Sequence, residues 1–139
     1  MKQFLSTIVI LLTLIFPTVS WSSVDGKYIV CKNLGMTLEY VGYSFIDGKV
    51  TEHFLQRDKD KYFFAVWIRM DYKTSENFIR WGSSVKLDRK TLDLYFIEQR
   101  PPQYRCEVYN SITEFEDRLD SAITELQTIY DEKTKKNKI

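Results

Sequence analysis

Two cysteines, one histidine, three prolines and five glycines are spread thinly through this 139-residue chain, and each scarcity removes a class of function. A zinc site needs several Cys, His or carboxylate ligands, and His53 is the sole histidine. In Thr51-Glu52-His53-Phe54 a regular strand places Glu52 and His53 on opposite faces, so they make a poor acid–base pair and His53 reads as a surface residue. No serine sits in a G-x-S-x-G turn. Gly26, Gly35, Gly42, Gly48 and Gly82 are isolated from one another, which excludes a phosphate-cradling loop. Asp58 and Asp60 lack the glycine and later glutamate of a calcium loop and read as a solvated turn. No catalytic residue, metal ligand or cofactor site is therefore expected. Paired carboxylates stay open, because they meet in space rather than in sequence.

Charge of one sign is also missing. Twenty basic side chains face nineteen acidic ones, so the chain has no basic stripe for nucleic acid. Lys133, Lys135, Lys136 and Lys138 crowd the last seven residues, and 134–139 read as a solvated basic tail.

Long apolar runs are absent too. Phe4 to Phe16 gives about 13 largely apolar residues, short of the roughly 20 that span a bilayer. With Lys2 before it, Pro17 after it and small residues at Ser20, Ser22 and Ser23, the run has the form of a secretory signal. Residues 1–20 are expected to be removed after Ser20 or Ser22; an uncleaved anchor is the competing reading. No cysteine directly follows the run, so no lipid anchor is expected. The mature chain should be exported, to periplasm or medium, without stable membrane insertion.

Export gives the two cysteines their meaning. Outside the reducing cytosol, Cys31 and Cys106 read as a disulfide closing a 75-residue separation. Between them the apolar pattern has period two. Strands are expected over Lys27–Lys32, Leu38–Ile46, Lys49–Gln56, Lys61–Met70, Asn77–Trp81, Val85–Leu87, Leu92–Ile97 and Gln103–Tyr109. Asp47-Gly48 marks a tight hairpin. In the most apolar run, Tyr62, Phe64, Val66 and Ile68 would share one face and Phe63, Ala65 and Trp67 the other. That pattern predicts a central strand covered on both sides.

After Pro101-Pro102 and the last strand the period changes. Ser111-Ile112-Thr113-Glu114 has capping-box form. Ile112, Phe115, Leu119, Ala122, Leu126 and Ile129 then follow at helical spacing, predicting an amphipathic helix over about 112–133 with a Glu114–Arg118 pair on its surface. The stripe can cover the protein's own sheet or, since it also fits a heptad, join two copies.

A disulfide needs its two Cα atoms within about 7 Å, whereas the end strands of a flat eight-strand sheet lie on the order of 30 Å apart. The sheet must therefore curl. The expected fold is mainly β: a single domain over 21–133, an antiparallel meander of about seven or eight strands forming a small closed or partly open barrel, with the C-terminal helix packed on it. A two-layer sandwich is the alternative.

One excess remains: nine Tyr, nine Phe and three Trp. Aromatics at period two are ordinarily core, yet Tyr and Trp also line pockets and partner surfaces. Tyr40, Tyr43, Trp67, Trp81 and Tyr95 are the candidates to line a ligand site. In size, export signal and cysteines in the outer strands, the chain resembles the small periplasmic lysozyme inhibitors, which are β-barrels. Their characteristic Ser-Gly segment is absent here, so no inhibitory residue is carried over. Lipocalin-like proteins share a barrel followed by a helix, but their Gly-x-Trp start is missing.

These readings converge on an exported, non-catalytic binding module, taking a small apolar ligand or a protein, monomeric or dimeric through its helix. The alternatives are a small secreted hydrolase with a carboxylate site and a structural envelope component. Intact-mass measurement on protein recovered from its native host should give a chain starting at Trp21 or Ser23, with no reactive thiol; a mass retaining residues 1–20, or two free thiols, contradicts the export reading.

Overall fold

The computed structural model of this chain describes residues 23–35 and 37–137. The expected signal, its cleavage positions and Lys138 of the tail lie outside them. Eight strands run in chain order: β1 Tyr28–Asn33, β2 Tyr40–Ile46, β3 Lys49–Asp58, β4 Lys61–Thr74, β5 Phe78–Trp81, β6 Val85–Asp88, β7 Asp93–Tyr95 and β8 Tyr104–Tyr109. Each pairs antiparallel with the next, and β8 returns to β1, so the meander is a closed barrel and not a sandwich. Cys31 and Cys106 face each other in the β1–β8 ladder and are bonded.

Local chemistry agrees with the turns. Asp47 and Gly48 both adopt positive φ, +54° and +71°, as a two-residue hairpin requires, and Phe45 pairs with Val50 across it. Alternation then sends one side of each strand inward. Ile29, Tyr43, Phe45, Val50, Ile79, Trp81, Leu87 and Leu94 fill the barrel around the disulfide. Trp81 packs edge-on against Tyr43 at 4.8 Å and Phe45 at 5.6 Å between ring centres. The interior is a packed aromatic core.

The outward faces of β1 and β2 carry the helix α1, Ile112–Lys136, which runs three residues beyond the expected end and into the basic tail. Ser111 Oγ accepts the Glu114 N–H as N-cap. Phe115, Leu119, Ala122 and Leu126 are buried against Val30 and Tyr40. Gly42 makes this approach achievable: a Cβ there would stand 3.0 Å from the Phe115 ring and 3.2 Å from Leu119. Two details differ from expectation. Ile112 is half exposed and stands off the docked face. Arg118 reaches Glu107 on β8 at 3.3 Å, because the barrel offers a fixed carboxylate beneath the helix.

The largest departure concerns β4, which is not a covered central strand. Thr51 pairs with Arg69 but His53 pairs with Val66, so Trp67 and Ile68 together oppose Glu52. This β-bulge inserts one residue and inverts the alternation. Tyr62 and Phe64, before it, pack with the helix cluster, whereas Met70 and Tyr72, after it, pack on the barrel core. A regular strand would place all four on one face, so the period-two reading fails at that residue.

His53 is likewise not a surface residue. It packs edge-on to Phe115 at 5.1 Å, beneath the helix, and shares a 3.2 Å hydrogen bond with Ser44 Oγ. Burial lowers its pKa. A depressed histidine pKa means the folded state binds fewer protons than the unfolded one, so stability is complete above about pH 6.5 and falls as pH drops below it. Glu107, held below the usual carboxylate range by the Tyr109 hydroxyl and Arg118, loses its contribution only at lower pH.

Two outcomes follow. Tm should fall between about pH 7 and 5 in the wild type, and His53→Gln should flatten that slope; equal slopes contradict the assignment. Reducing the disulfide, or replacing both cysteines with alanine, should lower unfolding free energy in denaturant titrations by about 4 kcal/mol, the loop-closure magnitude for a separation of this length.

Candidate functional site

Strand length decides where the barrel has a distinctive surface. β3 and β4 span 10 and 14 residues, against four, four and three for β5, β6 and β7. β4 pairs with β5 only from Tyr72 to Thr74. From Lys61 to Asp71 it has β3 on one side and no paired strand on the other, so the β3–β4 hairpin overshoots the rim with an edge that no strand covers and that the helix meets only at Tyr62.

The helix braces this hairpin from one side. Gln127 Nε2 donates to the Asp60 carbonyl at 2.7 Å, and Tyr62 N–H donates to Gln127 Oε1 at 3.2 Å. Tyr130 donates its hydroxyl to the Asp60 carboxylate at 3.1 Å, and the Arg57 guanidinium lies 4.9 Å from the Tyr130 ring. Asp60 therefore serves as a docking point for the helix. On the other side Trp67 packs edge-on to Phe54 at 5.2 Å. Val66, Trp67 and Ile68 are 65%, 55% and 62% exposed, three consecutive large apolar residues in water at the bulge.

Beside this surface the barrel end opens into a hollow of about 440 Å³, whose lining includes Glu39, Glu52, Phe54, Phe96 and Tyr104. Glu52 points inward because it pairs with Tyr43 across β2 and β3. Tyr104 donates its hydroxyl to Glu39 Oε2 at 3.1 Å and meets Phe96 edge-on at 5.4 Å. Tyr43 is fully buried, and its hydroxyl makes no well-formed hydrogen bond, the Glu52 carboxylate being the partner beside it. Burial first, then the charge of Glu52, pushes that phenol's pKa up.

The sequence-derived candidates do not converge. Tyr43 and Trp81 belong to the packed core. Tyr40 lies under the helix, donates to Glu125 at 2.6 Å and also lines the mouth. Tyr95 is half-buried under the Lys86 ammonium, 4.6 Å from its ring centre, and lines no part of the mouth. Trp67 stands at the edge of the rim surface. Sequence reasoning missed Glu39, Glu52, Phe54, Phe96 and Tyr104. Glu52 had a readable signal: it falls between Val50 and Phe54 on the inward phase of its strand.

Other arrangements offer less. A hollow of about 490 Å³ beside Trp81 and Ile97 has its charges already joined, Arg80 to Glu98 at 3.0 Å. Ser44 and His53 touch beneath the helix, where Ser44 is buried and His53 half-buried. Among the described residues no three His, Cys, Asp or Glu side chains group to hold a metal, and no helix is long and apolar enough to cross a membrane. Compared with known protein families, with curated proteins and with solved structures, the chain matches none.

Proposed function

We propose that this protein is an exported, non-catalytic binding module that holds a protein partner along the free edge of the β3–β4 hairpin. One observation carries the reading: Val66, Trp67 and Ile68 stand exposed where β4 has β3 on one side and no paired strand on the other. An unpaired edge presents backbone donors and acceptors to an incoming extended segment, and adjacent apolar side chains give that segment its contacts. The partner proposed is therefore an extended strand of another protein. A small apolar ligand is disfavoured, because aromatic side chains fill the interior that would hold it. Assembly through the helix is disfavoured as well, since its apolar stripe is buried on the barrel. The disulfide accords with an oxidising compartment, periplasm or medium.

Glu39 and Glu52 in one hollow also suit the hydrolase reading. Turnover of a glycan or peptide substrate that Glu52→Gln abolishes would replace the binding role.

A photoreactive amino acid placed at Trp67 or Ile68 should crosslink a partner in the native host, while the same group at Val108, exposed on β8 across the barrel from β4, should not. Joint substitution of Val66, Trp67 and Ile68 by serine should weaken capture at least about tenfold, as loss of a contact hot spot does. Exposed substitutions of this kind change stability by only about 0.5 kcal/mol each. Equal crosslinking from Val108 would sink the proposal; a crosslinked second copy would identify the partner as the chain itself.

A further inference from the structure

We propose that the barrel end opposite the hairpin tip binds a short alkyl carboxylate, its chain in the hollow beside Val108 and its carboxylate between Lys27 and Arg89. The site lies apart from the free edge of β4, so this binding goes beyond the partner-holding role and does not depend on it.

Alternation is the first support. Ile29, Phe45, Ile79 and Leu87 are buried inward-facing residues, and they also line a hollow of about 270 Å³ at this end. Val108 pairs directly with Ile29 across β8 and β1, so its side chain shares the inward face. Yet Ile29 is 2% exposed and Val108 is 42% exposed. An inward apolar side chain that meets water marks an open barrel end, with the packed interior as its floor. The aromatic filling of the barrel therefore does not exclude a ligand here, and barrel mouths are places where small molecules bind.

Charge is the second support. Lys27 stands two residues before Ile29, and Arg89 two residues after Leu87. Both continue an inward phase, one from β1 and one from β6, and both line the hollow. Among the described residues no Asp or Glu lines it. Lys27 donates to the side-chain carbonyl of Asn110, and Arg89 to the Ser75 carbonyl at 2.8 Å, both neutral acceptors. Two cations at the rim of an apolar, half-enclosed hollow give it a positive potential.

Walls and rim together select the occupant. A neutral apolar molecule leaves the rim charges unused, and an inorganic anion leaves the apolar walls in water. A carboxylate on an alkyl stem uses both, through charge-assisted hydrogen bonds from the ammonium and guanidinium and through burial of its methylenes. The volume falls just below that of pockets for drug-sized ligands, so the stem is short.

The test uses the purified, disulfide-bonded protein and backbone amide NMR, with n-octanoate kept below its micelle-forming concentration. Saturable shifts are expected at Ile29, Ile79, Leu87 and Val108. Affinity should rise about threefold per methylene from butanoate upward until the hollow is full. n-Octanol and n-octylammonium should bind at least about tenfold more weakly than octanoate. Val108→Glu, which sets an acid in the hollow, should abolish octanoate binding. Lys27→Gln should reduce the preference for octanoate over octanol at least about threefold, and this rim substitution keeps the test open if Val108→Glu fails to fold. Trp67→Ser should leave octanoate binding unchanged, so failure here and failure of the hairpin reading are separate results. Equal binding of octanoate and octanol, affinity independent of chain length, an unchanged preference in Lys27→Gln, or shifts centred on Val66 to Ile68 instead would overturn the proposal.

Discussion

The ladder between the first and last strands is the constraint on which this structure rests. β1 is shared, with β2 on one side and β8 on the other, and the Cys31–Cys106 bond sits inside the second pairing. Once β8 is held there, the six strands between have to travel around a closed path. Every inward side chain then meets others across a narrow interior, which is how Tyr43, Phe45 and Trp81 come to pack on one another. A barrel of about eight strands encloses little more than its own side chains, and these large ones fill it. Closure also fixes the site of the helix, because β1 and β2 present Val30, Tyr40 and the bare backbone of Gly42 on one outer patch.

Closure does not require equal strands, and the surface chemistry comes from the inequality. The short β5–β7 region ends while β3 and β4 continue, so the hairpin leaves the barrel with one edge unpaired. The bulge at Trp67 and Ile68 lets the same strand serve two cores, the helix side before it and the barrel interior after it. At the crossover itself neither core covers the side chains. Exposure of Val66, Trp67 and Ile68 is thus the geometric consequence of switching faces, and it falls next to the acidic, aromatic mouth.

Much of the architecture was legible in advance, and the candidate site was not. Asp47-Gly48, the alternation of β2 and β3, and the capped stripe of the helix are local patterns that the folded chain honours. Trp67, Trp81, Tyr43 and Tyr95 were selected as aromatics without knowledge of which neighbours close over them, and they scatter between core, rim and opposite wall. Glu39 and Glu52 are thirteen residues apart on different elements, and only the curl of the sheet faces them into one hollow. The Arg118 contact illustrates the same limit. Helical spacing favours Glu114, while the finished barrel supplies Glu107.

What the residues determined by themselves is period, turn and bridge: alternation sorts side chains within a strand, positive φ places the hairpin at Gly48, and two cysteines demand proximity. These depend on neighbours a few positions apart or on a covalent bond. Tertiary structure alone decided the single-residue slip in β4, the burial of His53 under the helix and the meeting of Glu39 and Glu52 at the mouth. Each arises from packing between elements distant along the chain, where one extra residue or a bare glycine changes which surface meets water.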